Sequence, residues 1–506
     1  MDDSNAPRGL WDSGLIFLAV LLLYLTVHFV LRLLLPQTLE LDEAEQMVLS
    51  QHLAWGYSVQ PPLYTWLQWG VSQLFGPSVL SLAVLKYGLL AVTYGVLYLI
   101  VREMLPSGRM RLLAVFSLLL IPSFAWESLR DLTHSVAVTA VSVLALYSAL
   151  RLGAQGRRRD YVALGVLLGL GMLSKYSFAV VAAGLLFAAL SLPTYRQRLI
   201  DKRFGLTLLA ALVIVLPHLI WMFVHREPLM AFIADETDRG AAGDYWGGVL
   251  AGLGSMAGNL ASFLTPFWLV FLVVFAMVWR QPRVANLPVN PARRFVSRFL
   301  LIVLALLVVA TVCGVERFQE RWFQPLMVVL PLALFGWLSR YEVPSGLLRR
   351  YGWVVVGFAA LAVVGRVGQI GVLPWFDDYT RLHLPSQALA AQLRTAGFDG
   401  GIVVADSYLT GGNLRLFYPA STVVVPQRGL VSRQAVHPAV PCLVVWDANK
   451  NEAMPARLAN HLGDRADAVS APPPPSGQVS AALLFADDRW HRLGYVILPE
   501  DAARCG

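Results

Sequence analysis

Three carboxylates, Asp42, Glu43 and Glu45, fall within four positions of the chain, and a rigid Gln60-Pro61-Pro62-Leu63-Tyr64 stretch follows them. The cluster begins a few residues after the first long apolar segment ends, where the chain should leave a bilayer. No Lys or Arg lies between Arg32 and Lys86, so nothing nearby in sequence neutralises it. Carboxylates held at a bilayer surface cost free energy unless they have a task. One such task is to take the proton from an acceptor hydroxyl while Lys and Arg steady the charge that builds on a departing phosphate.

Candidate cations for that second role are few. Only four lysines occur, and two of them, Lys86 and Lys175, lie in or near apolar segments. A lysine in a span usually faces a partner or a polar cavity, although one near its end can snorkel to the interface. Arg130 and Asp131 sit in a short loop with His134 close by, and Arg321 in another short loop. Arg130 with Asp131 reads either as a surface ion pair of little worth or as a catalytic pair in which Arg130 holds an anionic ligand while the Asp131 carboxylate orients an acceptor. His134 alone reads as a structural histidine or as a group that positions substrate. Gln60 and Tyr64 flank the double proline and could position donor or acceptor.

The elements that must hold these residues follow from composition. The chain has 506 residues, 57% hydrophobic and 14% charged. A soluble protein of that length would carry about a quarter charged residues. Runs long enough to span about 30 Å of hydrocarbon recur from residue 13 to residue 373. Eleven segments are expected: 13–35, 79–101, 111–126, 134–152, 160–174, 176–192, 205–224, 261–279, 299–314, 322–338 and 352–373. Polar residues 1–12 precede the first run and no small-residue cleavage site follows it, so it reads as a retained helix.

The loops alternate in charge. Basic loops surround Arg109, Arg158, Arg198, Arg294 and Arg349. The others, including Glu40 to Glu45 and Glu127 to Asp131, are acidic or mixed. The positive-inside rule puts the basic set and the N-terminus in the cytoplasm and the carboxylates outside. The net charge of +8 then reflects topology, and no nucleic-acid partner is implied.

After Pro36, residues 40–56 are expected to form a surface helix with Asp42 and Glu43 near its N-terminus, where the helix dipole favours anions. Capping by Asp42 is the plainest structural use of that position. The double proline then fixes a turn, and a second amphipathic helix leads into the next span. The expected fold is a polytopic α-helical membrane domain over 1–374, with residues 36–78 as its first outer loop. A soluble α/β domain over 375–506 follows.

In that tail, strands near 401–406, 421–426, 442–447 and 495–498 alternate with helices at 409–417 and 452–462. A small, mostly parallel sheet is therefore expected. No Gly-rich phosphate fingerprint follows its first strand, so the tail is expected to support or cover the membrane site. Cys442 and Cys505 are candidates for a disulfide if the tail lies in an oxidising compartment.

Asp42-Glu43 after the first span, the Pro61-Pro62-Leu63 turn, Arg130-Asp131 after the third and Leu173-Ser174-Lys175 resemble one known family. It is the bacterial branch of the protein O-mannosyltransferase-like glycosyltransferases (family 39, GT-C fold). The branch includes transferases that add aminoarabinose to lipid A and galacturonic acid to its core. The resemblance covers about residues 13–340. It implies a polyprenyl-phosphate sugar donor and an inverting transfer outside the cytoplasmic membrane to a lipid, glycan or protein acceptor. Asp42 matches the family's catalytic carboxylate and Glu43 completes its Asp-Glu pair. Arg130, Asp131 and Lys175 match further polar positions. One departure stands out: the aminoarabinose transferase has Glu-Lys before its double proline, and that Lys contacts the donor phosphate. Val59-Gln60 stand here instead, so Lys86, Arg321 or another cation would have to supply the charge. A divalent metal is compatible with the carboxylates, but no ligand spacing identifies one.

Two other readings remain. A transporter or flippase of lipid-linked sugars would more often show internal repeats and helices interrupted near the midplane, and neither stands out. An envelope assembly protein acting through its tail would leave the outer carboxylates without a use.

Overall fold

A computed structural model describes residues 14–57, 60–226, 245–284, 290–426, 440–462, 476–486 and 488–498. The first four helices build the carboxylate end of the molecule. They are α1 (Gly14–Leu34), α2 (Leu41–Leu49), α3 (Leu63–Phe75) and α4 (Val79–Met104). The helix expected over 40–56 is thus only nine residues long. Just beyond its end, the Gln51 side-chain amide donates to the carbonyl of Val423 and accepts from the amide of Val423.

The bundle continues with α5 (Gly108–Phe116), the one-turn α6 (Ser128–Arg130), α7 (Thr133–Gln155), α8 (Arg158–Ser174), α9 (Phe178–Ser191), α10 (Pro193–Ile200) and α11 (Phe204–Val224). Next come α12 (Tyr245–Leu264), α13 (Phe267–Phe275), α14 (Pro291–Val312), α15 (Glu320–Met327), α16 (Leu330–Leu338) and α17 (Ser345–Gly371). Among the described residues, seven helices are long and apolar enough to cross a membrane, or up to ten if each bent pair is one span.

The differences from the eleven expected segments have local causes. The segment expected at 111–126 turns by 81° between Leu120 and Ser123, next to Pro122, since proline cannot continue the i→i−4 ladder. The segment expected at 261–279 runs across the break at Pro266, and a further helix, α12, precedes it. Residues 227–244, between the segments expected at 205–224 and 261–279, lie outside the described residues.

The charge partition is visible along α4. Its 26 residues rise about 39 Å. Lys86, near its start, meets α2, whereas Glu103, near its end, accepts a hydrogen bond from Asn290 through its carbonyl. At that far end Arg203 donates to the carbonyl of Gly156, and Arg293 donates to Ser339. The basic loops therefore gather at the end of the bundle away from the carboxylates.

Beyond α17 lie α18 (Ser386–Thr395), β1 (Ile402–Ala405), α19 (Tyr408–Phe417), β2 (Thr422–Val424), β3 (Cys442–Asp447), α20 (Ala456–Leu462), β4 (Ser476–Ala482) and β5 (Trp490–Leu498). The sheet order is β2-β1-β3-β5-β4. The first three strands are parallel, as expected, while β5 and β4 pair antiparallel. The helix α18 and the strand β4 were not foreseen. Burial follows pairing: β1 and β3 are covered on both faces, which explains their unbroken apolar runs. Cys442 is disulfide-bonded and Cys313 is free. The proposed partner Cys505 and the proline run at 472–475 lie outside the described residues.

The sheet region is packed against the carboxylate helix. Val48 of α2 joins the apolar core under the sheet, and Leu409 and Leu416 of α19 pack on Leu39, Ala44 and Met47. The two helices approach closely at Gly412, where an added Cβ would clash with the backbone of Ala44. Gly412→Val is therefore expected to cost about 1–3 kcal/mol, read as a lower Tm and faster proteolysis between 371 and 402.

Candidate active site

Four acidic residues at the start of α2 have four different surroundings, and helix geometry explains the division. Consecutive residues point about 100° apart around the axis, whereas residues three apart share a face. Asp42 and Glu45 share one face, and Glu43 turns away from it.

Glu43 is buried between two cations. Its carboxylate accepts from Arg32 at 2.8 Å and from Lys86 at 2.8 Å. It also accepts from the amide of Glu40, closing the first turn of α2. Burial by itself would raise its pKa, but the charges and hydrogen bonds of Arg32 and Lys86 outweigh that and hold it well below the usual carboxylate range. The two cations that bound the uncharged stretch in sequence thus converge on this carboxylate. Lys86, a candidate for the donor phosphate, spends Nζ on Glu43 and on the carbonyl of Arg130 and is 1% exposed.

Asp42 does not cap its own helix. Its Oδ2 accepts from the amide of Thr133, at the start of α7, and its own amide donates to Oδ1 of Asp131. Each carboxylate thereby satisfies the backbone of the other's segment. The clasp requires Leu132 to adopt φ +58°, a left-handed conformation that is costly for a branched side chain. Burial and then the neighbouring charge of Asp42 push the pKa of Asp131 above the ordinary range.

Glu45 lies one turn along from Asp42. Burial, then the charges of Asp42 and Asp131, push its pKa up to about 8, with Arg321 acting the other way. The folded protein then holds a proton between the ordinary carboxylate range and about pH 8 that the unfolded chain releases. Stability falls as pH rises through that window. Glu45→Gln is expected to have a higher Tm than the parent protein at pH 8, with the difference vanishing near pH 4.

Facing this group are two cations. Lys175 caps the end of α8, donates to Ser135 at 2.9 Å and interacts with both Arg321 and Asp42. Burial, then Arg321, push its pKa down to about 8. Arg321, on α15, is exposed, and its Nε donates to Gln319.

The remaining candidates frame the site. Arg130 bonds Glu127 at 3.0 Å and lies 3.8 Å from Glu40, which also pairs with Arg381 at 3.3 Å. His134 is buried, and its Nε2 accepts from the amide of Gln46; Gln46 in turn accepts from Thr65. Tyr64 is buried beside the His134 ring. These three tie α2, α3 and α7 together. Gln60 is half-buried just ahead of the buried Pro61 and Pro62. Among the described residues no group of three or more His, Cys, Asp or Glu could hold a metal ion.

The sequence did not single out Glu45 for a role. A signal was present, since it lies three residues from Asp42. Arg366 of α17 was missed altogether. It is buried, within electrostatic reach of Glu43 and Glu40, and its guanidinium lies 5.8 Å from the Trp126 ring centroid. A single arginine in the apolar run at 352–373 gives no hint of that position.

Comparison with known proteins places the chain. It is 33% identical over 494 residues to the lipopolysaccharide core galacturonosyltransferase RgtB of Rhizobium johnstonii, covering 96% of this chain and 97% of that protein. The chain belongs to the GT-C glycosyltransferases of the family 39 type. RgtA of the same organism is 30% identical over 470 residues, covering 90% and 92% of the two chains. Residues 59–221 match the dolichyl-phosphate-mannose-protein mannosyltransferase family model. The fold is that of ArnT from Cupriavidus metallidurans crystallised with undecaprenyl phosphate, with TM-score 0.59 at 14% identity, over 95% of this chain and 97% of that one. This family member is a multi-pass membrane glycosyltransferase. The transporter reading draws no support from these relatives.

Proposed function

We propose that this glycosyltransferase moves galacturonic acid from a polyprenyl-phosphate donor to the core of lipopolysaccharide, at the periplasmic face of the inner membrane. The observation that carries the reading is the split of the acidic cluster: Glu43 is neutralised by two cations, while Asp42 keeps one oxygen beyond its bond to Thr133 and faces Lys175 and Arg321. The sugar and acceptor follow RgtB and RgtA, and the donor lipid follows the undecaprenyl phosphate held by ArnT. Gathering of the basic loops at the far end of the bundle supports the orientation.

Asp42 takes the proton of the acceptor hydroxyl as its oxygen attacks the anomeric carbon. The bond from that carbon to the phosphate oxygen breaks, and its electron pair leaves on polyprenyl phosphate. Attack from the face opposite the leaving group inverts the anomeric configuration. Lys175 and Arg321 receive the growing phosphate charge. They do the work that a lysine at position 60 would do, while Lys86 holds Glu43. Asp131 fixes the start of α2 through the amide of Asp42, and Arg130 holds Glu40.

The experiment is reconstitution of the purified protein with polyprenyl-phosphate galacturonate and lipopolysaccharide. Sugar transfer with equimolar release of polyprenyl phosphate is expected. Intact donor crossing the bilayer with no bond cleaved would instead favour the transporter reading.

A further inference from the structure

The sheet region carries a cleft of mixed polar and apolar lining, and nothing in the transfer chemistry above uses it. It has a volume of about 320 Å³, near the lower end of the roughly 300–1,000 Å³ typical of small-molecule sites. Its position follows from topology. From β1 the chain passes through α19 to β2 on one side, and β3 then pairs on the other side of β1. In open sheets with parallel strands, the crevice at the carboxyl ends of two strands whose connections diverge is where ligands bind. Ser407 and Thr410 line the cleft just after β1, and Asp447 and Lys450 line it at the end of β3.

The lining chemistry selects the occupant. The segment from Asp406 to Gly412 lacks a glycine-rich phosphate loop. Asp406 accepts from the amide of Asp447, so two carboxylates stand at the strand ends and disfavour a phosphate there. The hydroxyls of Ser407 and Thr410 and the ion pair of Asp447 with Lys450 share the lining with Trp490, a residue that is 52% exposed. An apolar ring face beside short polar side chains suits the apolar face and hydroxyl edge of a sugar ring. The volume admits one or two rings rather than a long polymer.

The cleft is also wired to the carboxylate helix. Asn413 lines it and accepts the amide of Leu39, and Arg381 lines it and pairs with Glu40. A molecule seated there would sit on the groups that fix the start of α2.

We propose that this cleft is a saccharide subsite that holds one or two sugar residues of the acceptor glycan, so that the acceptor is gripped by the sheet while its hydroxyl is presented to Asp42. The proposal rests on the glycan-acceptor reading above. It adds a binding site remote from the transfer chemistry.

The test uses the full-length protein in detergent and, as probe, lipid-free core oligosaccharide released from lipopolysaccharide by mild acid. Binding is followed by saturation-transfer NMR and calorimetry. The parent protein and Asp42→Asn should bind the probe equally. Trp490→Ala and the surface change Lys450→Ala should each weaken binding by about tenfold with Tm unchanged, and raise KM for lipopolysaccharide by a similar factor while kcat holds. Undiminished binding by both cleft variants overturns the subsite. So does a parent protein that transfers sugar to lipopolysaccharide but does not bind the probe. Probe binding that depends on Trp490, in a protein that transfers no sugar from any polyprenyl-phosphate donor, overturns the proposed reaction and leaves the subsite standing.

Discussion

Asp42→Asn is expected to lower kcat by about 10²–10⁴-fold, the range for removing a positioned general base. Asparagine keeps an oxygen that can accept from the amide of Thr133, so the clasp between α2 and α7 should survive. What disappears is the ability to accept a proton. Donor affinity should change little, because the phosphate is assigned to Lys175 and Arg321. A variant that loses donor binding as well would point to a positioning role for Asp42. Asp42→Glu should recover only part of the rate, because its longer side chain displaces the oxygen from a geometry set by Thr133 and Asp131.

Glu43→Ala is expected to act on stability instead. It would leave Arg32, 2% exposed, and Lys86, 1% exposed, without their carboxylate. Breaking a buried pair by removing one partner typically costs about 3–5 kcal/mol. Arg32 would keep the carbonyl of Thr38 and Lys86 that of Arg130, which softens the loss without replacing the charge. Thermal unfolding in detergent should show a large fall in Tm. Glu43→Gln should fall less, since an amide still accepts one hydrogen bond. A Glu43→Ala protein as stable as the parent but inactive would make Glu43 a direct participant in transfer.

Adjacent Asp42 and Glu43 have different surroundings, and sequence could show only that both were acidic. Composition and loop charge made the membrane bundle legible, because apolar runs and arginine-rich loops are properties of contiguous residues. The site residues Asp42, Asp131, Lys175 and Arg321 were legible as types of residue near one face. Their separate surroundings were not, since those depend on helix rotation and on long-range approach. Arg32 and Lys86 looked like the limits of an uncharged stretch, yet the fold brings both to Glu43. Gln51 read as part of a helix, yet it completes the edge of a sheet 372 residues away in sequence. The antiparallel strand β4 was missed because its sequence, rich in Ser, Gly and Ala, carries none of the β-branched weight of β1 and β3.

The most direct measurement is single-turnover transfer from pre-bound polyprenyl-phosphate sugar, comparing the parent protein with Asp42→Asn at saturating acceptor. The account predicts that both bind donor with similar Kd, and that bond formation in the variant slows by about 10²-fold or more. Equal single-turnover rates in the two proteins would contradict it.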